Sequence, residues 1–358
     1  MTGAANRFPV RLYFAILLAL CAVVVVWGLQ SGAVKIGIRQ TLILLAEGFG
    51  WRPGDTDFSP YSRDTLWTVF WSIRVPRILM GLLVGCALAA AGAGMQGLFR
   101  NPLADPSLIG VSAGAAMGAV LAIVWNESAT GWAVGWLAEF RLPVFAILGA
   151  MTVTFVVYWL STSQGKTTVA TLLLTGIAVN ALASAFVGYM IFLSDARELR
   201  DFTFWSLGSL GLATWENLAA VAPFVIIPVS GLILLSRALN ALLLGEAEAG
   251  HLGVEVQRMT MTVVFLSAAM VGTSVAFCGM IGFVGLLVPH LVRLSIGPDH
   301  RYLIPASAIL GGTLLVTADI AARTFFAPEE LPIGIVTAVV GAPCFLGLLH
   351  FSRQGIRG

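Results

Sequence analysis

The feature that most limits this chain is its succession of apolar runs, most of them long enough to cross a bilayer. A membrane helix needs about 20 mostly apolar residues to span a hydrocarbon core about 30 Å thick. Ten candidate runs occur, at roughly 12–30, 76–98, 107–125, 142–160, 169–193, 217–235, 259–281, 283–294, 303–322 and 333–350. The eighth is short and rich in glycine and need not span alone. Of 358 residues 58% are hydrophobic and only 11% charged, against about 25% charged in a soluble domain. Such a chain precipitates unless lipid covers it. The polar–apolar alternation of a membrane strand is absent, which argues against a β-barrel. The expectation is an all-α, polytopic membrane protein with about ten transmembrane helices. Residues 1–358 form a single transmembrane domain, with no second domain, low-complexity tract or solenoid period.

The first run follows Arg7 and Arg11 and invites comparison with a signal peptide. Its 18 residues from Leu12 to Leu29 exceed a typical apolar signal region, so an uncleaved first helix is expected. With the N-terminus inside, the cytoplasmic segments hold Arg7, Arg11, Arg100, Lys166, Arg237, Arg258, Arg293, Arg301, Arg353 and Arg357, ten of the 20 basic residues, and the outer segments hold the other ten. A tie is unusual for a rule that favours positive charge inside, so the outer arginines need a role. Glycines spaced by four, Gly81 and Gly85, then Gly110, Gly114 and Gly118, suit close packing of helix backbones. The cysteines Cys21, Cys86, Cys278 and Cys344 lie in apolar runs with no C-x-x-C pair and read as packing residues. A net charge of +2 offers nothing to a nucleic acid.

The helix interiors are almost free of ionisable groups; only Asp319, His290 and Arg293 come near, all toward helix ends. Ion-coupled carriers usually place carboxylates or histidines within the bundle as relays, so a self-powered secondary transporter is disfavoured. Gln164-Gly165-Lys166-Thr167 resembles the end of a phosphate-binding loop, but the pattern needs a glycine five residues before Gly165, where Leu160 stands. The chain is therefore not expected to bind ATP. His251, His290, His300 and His350 have no partner at metal-binding spacing, and no catalytic constellation or metal site emerges.

Several long motifs then follow one another. Arg74-Val-Pro-Arg77 precedes GAGMQGLFRNPLADPSLIGVSAG at 92–114. FWSLGSL follows at 204–210, LGEAEAGHLGV at 244–254, GMIGFVGLLVPHLVRLSIGPDHR at 279–301 and ELPIGIVTAVVGAPCF at 330–345. Together, and in this order, they resemble the FecCD-type permeases of type II ABC importers, which move iron–siderophore complexes, haem or cobalamin. The stretch LRDFTFWSLGSLGLATW at 199–215 is most similar to permeases of haem importers.

The resemblance implies the type II permease fold in the bacterial inner membrane, with both termini cytoplasmic, acting as a homodimer. It implies two cytoplasmic ATPase subunits, which bind ATP and Mg, and one periplasmic substrate-binding protein. Haem is the favoured cargo, with ferric siderophore or cobalamin as alternatives, and no cofactor is resident. Arg74 and Arg77, expected just outside the second span, and Arg323, at the outer end of the ninth, correspond to arginines that dock the binding protein's glutamates. The competing readings are lipid-headgroup anchoring and an Asp319–Arg323 pair at i,i+4. The segment at about 240–256 corresponds to the coupling helix seated on the ATPase, through Leu244, Gly245, Ala249, Leu252, Gly253 and Val254. Asn101 and Leu103, in a proline-broken turn, and Thr168 and Thr171 correspond to a cytoplasmic gate. The fifth helix lines the pathway in relatives, which makes Thr175 on one face, or Asn180 and Ser184 on the other, candidates for the pathway lining.

Overall fold

The computed structural model describes residues 9–51, 58–125, 140–326 and 329–354. The terminal residues that bear on the expected cytoplasmic ends, Arg7 and Arg357 included, lie outside the described residues.

Among the described residues fourteen α-helices follow in chain order: α1 Val10–Gln30, α2 Ile38–Gly48, α3 Arg63–Leu98, α4 Val111–Val124, α5 Arg141–Ser161, α6 Val169–Leu193, α7 Ala196–Ser206, α8 Trp215–Leu234, α9 Ser236–Leu242, α10 Glu246–His251, α11 Val256–Cys278, α12 Val284–Ile296, α13 His300–Thr324 and α14 Ile333–Gln354. Seven of these are long and apolar enough to cross a membrane, and α4, α12 and most of α14 are shorter apolar helices. These ten coincide with the ten runs expected. The second span differs from expectation. It starts at Arg63, not near residue 76, and runs 36 residues, about 54 Å at 1.5 Å per residue. Ser62 caps it, its Oγ accepting the Thr65 amide at 3.2 Å, and residues Val69–Arg74 form a widened π turn. Arg74 and Arg77 therefore sit inside this helix, not outside it.

The centre of the bundle is α3, α11 and α13; two thirds or more of their apolar windows are buried, against about a fifth for α1, α6 and α8. The central helices touch backbone to backbone. A Cβ on Gly85 of α3 would meet the main chain of Gly311 and Gly312 in α13, and one on Gly114 of α4 would meet Gly149 in α5. Without a hydrophobic drive between helices in lipid, such close van der Waals contact is the main source of cohesion.

Two helices are broken within the bundle. Between α3 and α4 the chain returns through a short 3-10 turn, Pro106–Ile109, and reverses at Gly110 with φ +89°. Between α11 and α12 residues 279–283 are irregular, with positive φ at Gly279 and Phe283. Irregular backbone at membrane depth survives only when protein covers it. Here the Ser209 amide donates to Cys278 O at 2.8 Å, Ile333 to Gly208 O at 3.0 Å and Gly334 to Leu207 O at 3.1 Å. The turn at 207–209 thus ties the end of α11 to the start of α14.

Gly85→Ala is expected to cost about 1–3 kcal/mol through overpacking and to lower the thermal unfolding midpoint in detergent. Gly250→Ala, with nothing within 4 Å, should leave that midpoint unchanged.

Candidate functional site

One face of the bundle gathers the ends of α1, α3 and α13 and the start of α14. Asp319, in the last turns of α13, is buried there at 3% side-chain exposure. Arg77 grips it with Nε at 3.0 and 3.1 Å and Nη2 at 2.8 Å. Arg323 Nε lies 3.4 Å from the same carboxylate. A planar fork on a carboxylate gives the strongest and most directional kind of charged hydrogen bond. Arg77 also holds Glu330, which stands at the rim, with Nη1 at 3.0 Å and Nη2 at 2.9 Å.

The other guanidinium N–H groups are directed at α1. A helix C-terminus leaves carbonyls without intrahelical donors. Arg323 donates to Gly28 O at 2.7 Å and to Ser31 O at 2.8 Å. Arg74 donates to Leu29 O at 2.5 Å and also to Val34 O. The intrachain pair between Asp319 and Arg323 thus exists, joined by a stronger one from Arg77 that spacing along the sequence did not suggest. All three candidate docking arginines are buried and engaged within the chain, so none offers a free fork to a partner in this state.

The opposite face carries α10. Gly245 at φ +125° and Gly253 at φ +83° turn the chain before and after it. Leu244 and Leu252 project outward at 67% and 65% exposure. Ala249 is wholly buried within the chain, and Val254 packs partly buried against the core. Ala249 therefore seats α10 on its own bundle and has no surface to give a partner.

The two segments expected to form a gate lie beside α10. Asn101 Oδ1 accepts the Leu103 amide at 3.0 Å, forming a tight turn. Arg100 reaches Glu246 of α10 at 3.9 Å. Thr168 caps α6, its Oγ1 accepting the Thr171 amide at 3.2 Å, and Thr171 Oγ1 donates to Ser161 O at 3.1 Å. A small cleft lined by Leu98, Thr168, Leu172, Glu246 and Thr260 marks where α3, α6, α10 and α11 converge. Lys166 and Thr167 form half of a two-residue hairpin with Thr162 and Ser163, a geometry unlike a phosphate loop. Asp299, just ahead of α13, is held down to about 2 by the hydrogen bond from Arg301, with Asn240 adding a second. On α6 Thr175 is half-buried, Ser184 is exposed and the half-buried Asn180 donates to Ser107 O at 3.2 Å in the 3-10 turn.

The motifs that define this geometry lie within a region, residues 17–351, that matches the model of the FecCD transport family. The chain belongs to the FecCD transport family. It is 42% identical over 350 residues to the hemin transport system permease protein HmuU of Yersinia pestis, covering 98% of both chains. It is 42% identical over 287 residues to the cobalamin import system permease protein BtuC of Halobacterium salinarum, covering 80% of this chain and 74% of that one. A solved structure described as an inward-facing metal-chelate type ABC transporter superposes with a TM-score of 0.79 at 31% identity, covering 96% of this chain and 99% of that one. The protein is thus a multi-pass permease of the ABC importer type.

Sequence reasoning missed Glu330 and the Arg77–Asp319 pair. Asp319, an acid near the end of an apolar helix, was the available signal. Asp319→Asn in this permease would leave two arginines buried around a neutral group. Removing one member of a buried ion pair typically costs about 3–5 kcal/mol. The variant should fail to yield folded, monodisperse protein by size exclusion in detergent, whereas Glu330→Gln should elute as the parent does.

Proposed function

We propose that this permease imports haem across the bacterial inner membrane as one half of a homodimer. The observation that carries the proposal is identity at 42% with a hemin permease along 98% of both chains. In this arrangement both termini are cytoplasmic, α10 faces the cytoplasm and the arginine cluster faces the periplasm. Two ATPase subunits bind ATP and Mg, and the permease itself hydrolyses nothing. One periplasmic binding protein delivers the cargo at the arginine face. Glu330, half-exposed on the buried Arg77, supports docking there better than Arg74 or Arg323, whose N–H groups serve α1 and the turn after it.

The coupling contact is built from what α10 exposes: Leu244 and Leu252 flanking it, and Glu246 and Glu248 along it. Gly245 and Gly253 fix its angle, Ala249 and Val254 fix its seat, and Asn101, Leu103, Thr168 and Thr171 form the gate it moves. Exposed α6 side chains, Leu174, Ile177, Leu182 and Tyr189 among them, supply apolar surface for the second copy, with Thr175 and Ser184 as pathway candidates. Asn180 serves the 3-10 turn.

Reconstituted with its ATPase, the permease should show hydrolysis stimulated most by binding protein loaded with haem. Greater stimulation by ferric siderophore or by cobalamin would reassign the cargo within the family. Leu244→Asp with Leu252→Asp should leave the permease folded and the binding protein docked, but abolish co-purification of the ATPase. Retained co-purification with normal stimulation would remove α10 from the coupling contact.

A further inference from the structure

The outer cluster sets three guanidiniums against two carboxylates, and the two carboxylates differ. Asp319 is out of water and takes the Nε and Nη2 edge of Arg77. Glu330 is 48% exposed and takes Nη1 and Nη2. Water screens a half-exposed pair and competes for its oxygens, so Glu330 is the weakly held member. If it leaves, Arg77 does not move, because Asp319 still fixes it. A preformed fork then faces the periplasm in a cluster with two unmatched positive charges.

Glu330 also opens the segment that leads into α14. Leu331 donates to Ala322 O at 3.3 Å, and Ile333 and Gly334 donate to Gly208 and Leu207. These few bonds and the Glu330–Arg77 pair hold the segment against an outer cleft of about 410 Å³. Its walls include Asp201, Trp205, Cys278, Gly279, Glu330 and Pro332.

We infer that Glu330 is an exchangeable latch: an acidic side chain of a docking partner takes its place on Arg77, and the exchange frees the 330–334 segment and opens the cleft beneath it. The latch stands on this chain's geometry alone; that the partner is the binding protein rests on the importer reading above. Exchange costs little because one carboxylate replaces another on the same fork. The Glu330 thus set loose disengages the start of α14.

Cys278 lines the cleft and is 3% exposed, so it reports opening. A chain with Cys21, Cys86 and Cys344 changed to Ser would be placed in proteoliposomes and treated with a membrane-impermeant maleimide. Glu330→Gln should speed labelling of Cys278 by about fivefold, the factor a half-exposed ion pair corresponds to. Asp201→Asn, an acid of the same cleft outside the arginine cluster, should not. An unchanged rate in Glu330→Gln, or an equal rise in Asp201→Asn, would overturn the latch. Haem-loaded binding protein should speed labelling of the parent and add nothing in Glu330→Gln. Binding protein that co-sediments with the parent yet leaves Cys278 protected would overturn the exchange while sparing the importer reading. Binding protein that fails to co-sediment would count against the importer reading, with the Glu330→Gln rate still deciding the latch. Faster labelling produced by anionic-lipid vesicles alone would assign the fork to phosphate and overturn the acidic side chain as its occupant.

Discussion

A carboxylate buried near the end of a membrane helix has to be neutralised where it stands, and one end of this permease is arranged around that requirement at Asp319. Arg77 from α3 and Arg323 from α13 supply the charge. Each guanidinium brings more N–H groups than one carboxylate can accept. The surplus on Arg323 goes to Gly28 O and Ser31 O at the end of α1, and Arg74 adds a bond to Leu29 O and another to Val34 O just past that helix. One acid thereby fixes the registers of α1, α3 and α13 together. The π turn at Val69–Arg74 fits this scheme, because an added residue in a turn rotates what precedes it while leaving Arg74 and Arg77 on one face. Buried charge of this kind contributes little net stability against an apolar substitute, but it punishes any other arrangement.

Elsewhere cohesion is apolar and depends on backbone approach. Where α3 meets α13 and α4 meets α5, glycine removes the side chains that would hold the helices apart. Beside the break at 279–283 the same closeness lets neighbouring main chain reach a freed carbonyl, Cys278 O taking the Ser209 amide at 2.8 Å, and at the turn before Gly110 the Asn180 side chain donates to Ser107 O at 3.2 Å. A looser bundle would expose those groups to lipid, at several kcal/mol each. Tight packing and broken helices are therefore one design, with the turn 207–209, the end of α11 and the start of α14 knitted where the cleft forms.

The ten spans were legible because each is a continuous apolar run, and α10 because Gly245 and Gly253 bracket a short polar helix. The helices α2 and α7 were not foreseen: they are eleven residues each and carry mixed polar and apolar residues. The start of α3 was placed too late because Arg63, Asp64, Arg74 and Arg77 interrupt the apolar pattern, although helical geometry continues through them. The arginine cluster was legible as residues needing a purpose but not as contacts, since Arg77 pairs with acids 242 and 253 positions away. Ala249 shows a different limit. A small residue permits close approach on either side of a helix, and composition does not say whether the neighbour is the same chain or another.

The half of the bundle that carries α10 has a corresponding short path. From α10 the chain passes through Val254 and Glu255 straight into α11, whose second residue is Gln257. The Gln257 side chain accepts the Thr167 amide at 3.0 Å and donates to Thr167 Oγ1 at 2.6 Å and to Tyr158 OH at 3.0 Å. Thr167 ends the hairpin, and the next residue, Thr168, caps α6. A displacement of α10 therefore reaches the start of the most lightly packed central-length helix through six residues of covalent chain and one amide side chain. The route avoids α3 and α13, which the arginine cluster and the glycine contacts hold rigid. On the coupling role proposed above, that route ends on α6, whose apolar window its own chain buries to only 17%, so a shift of α10 reaches the very face proposed for the second copy.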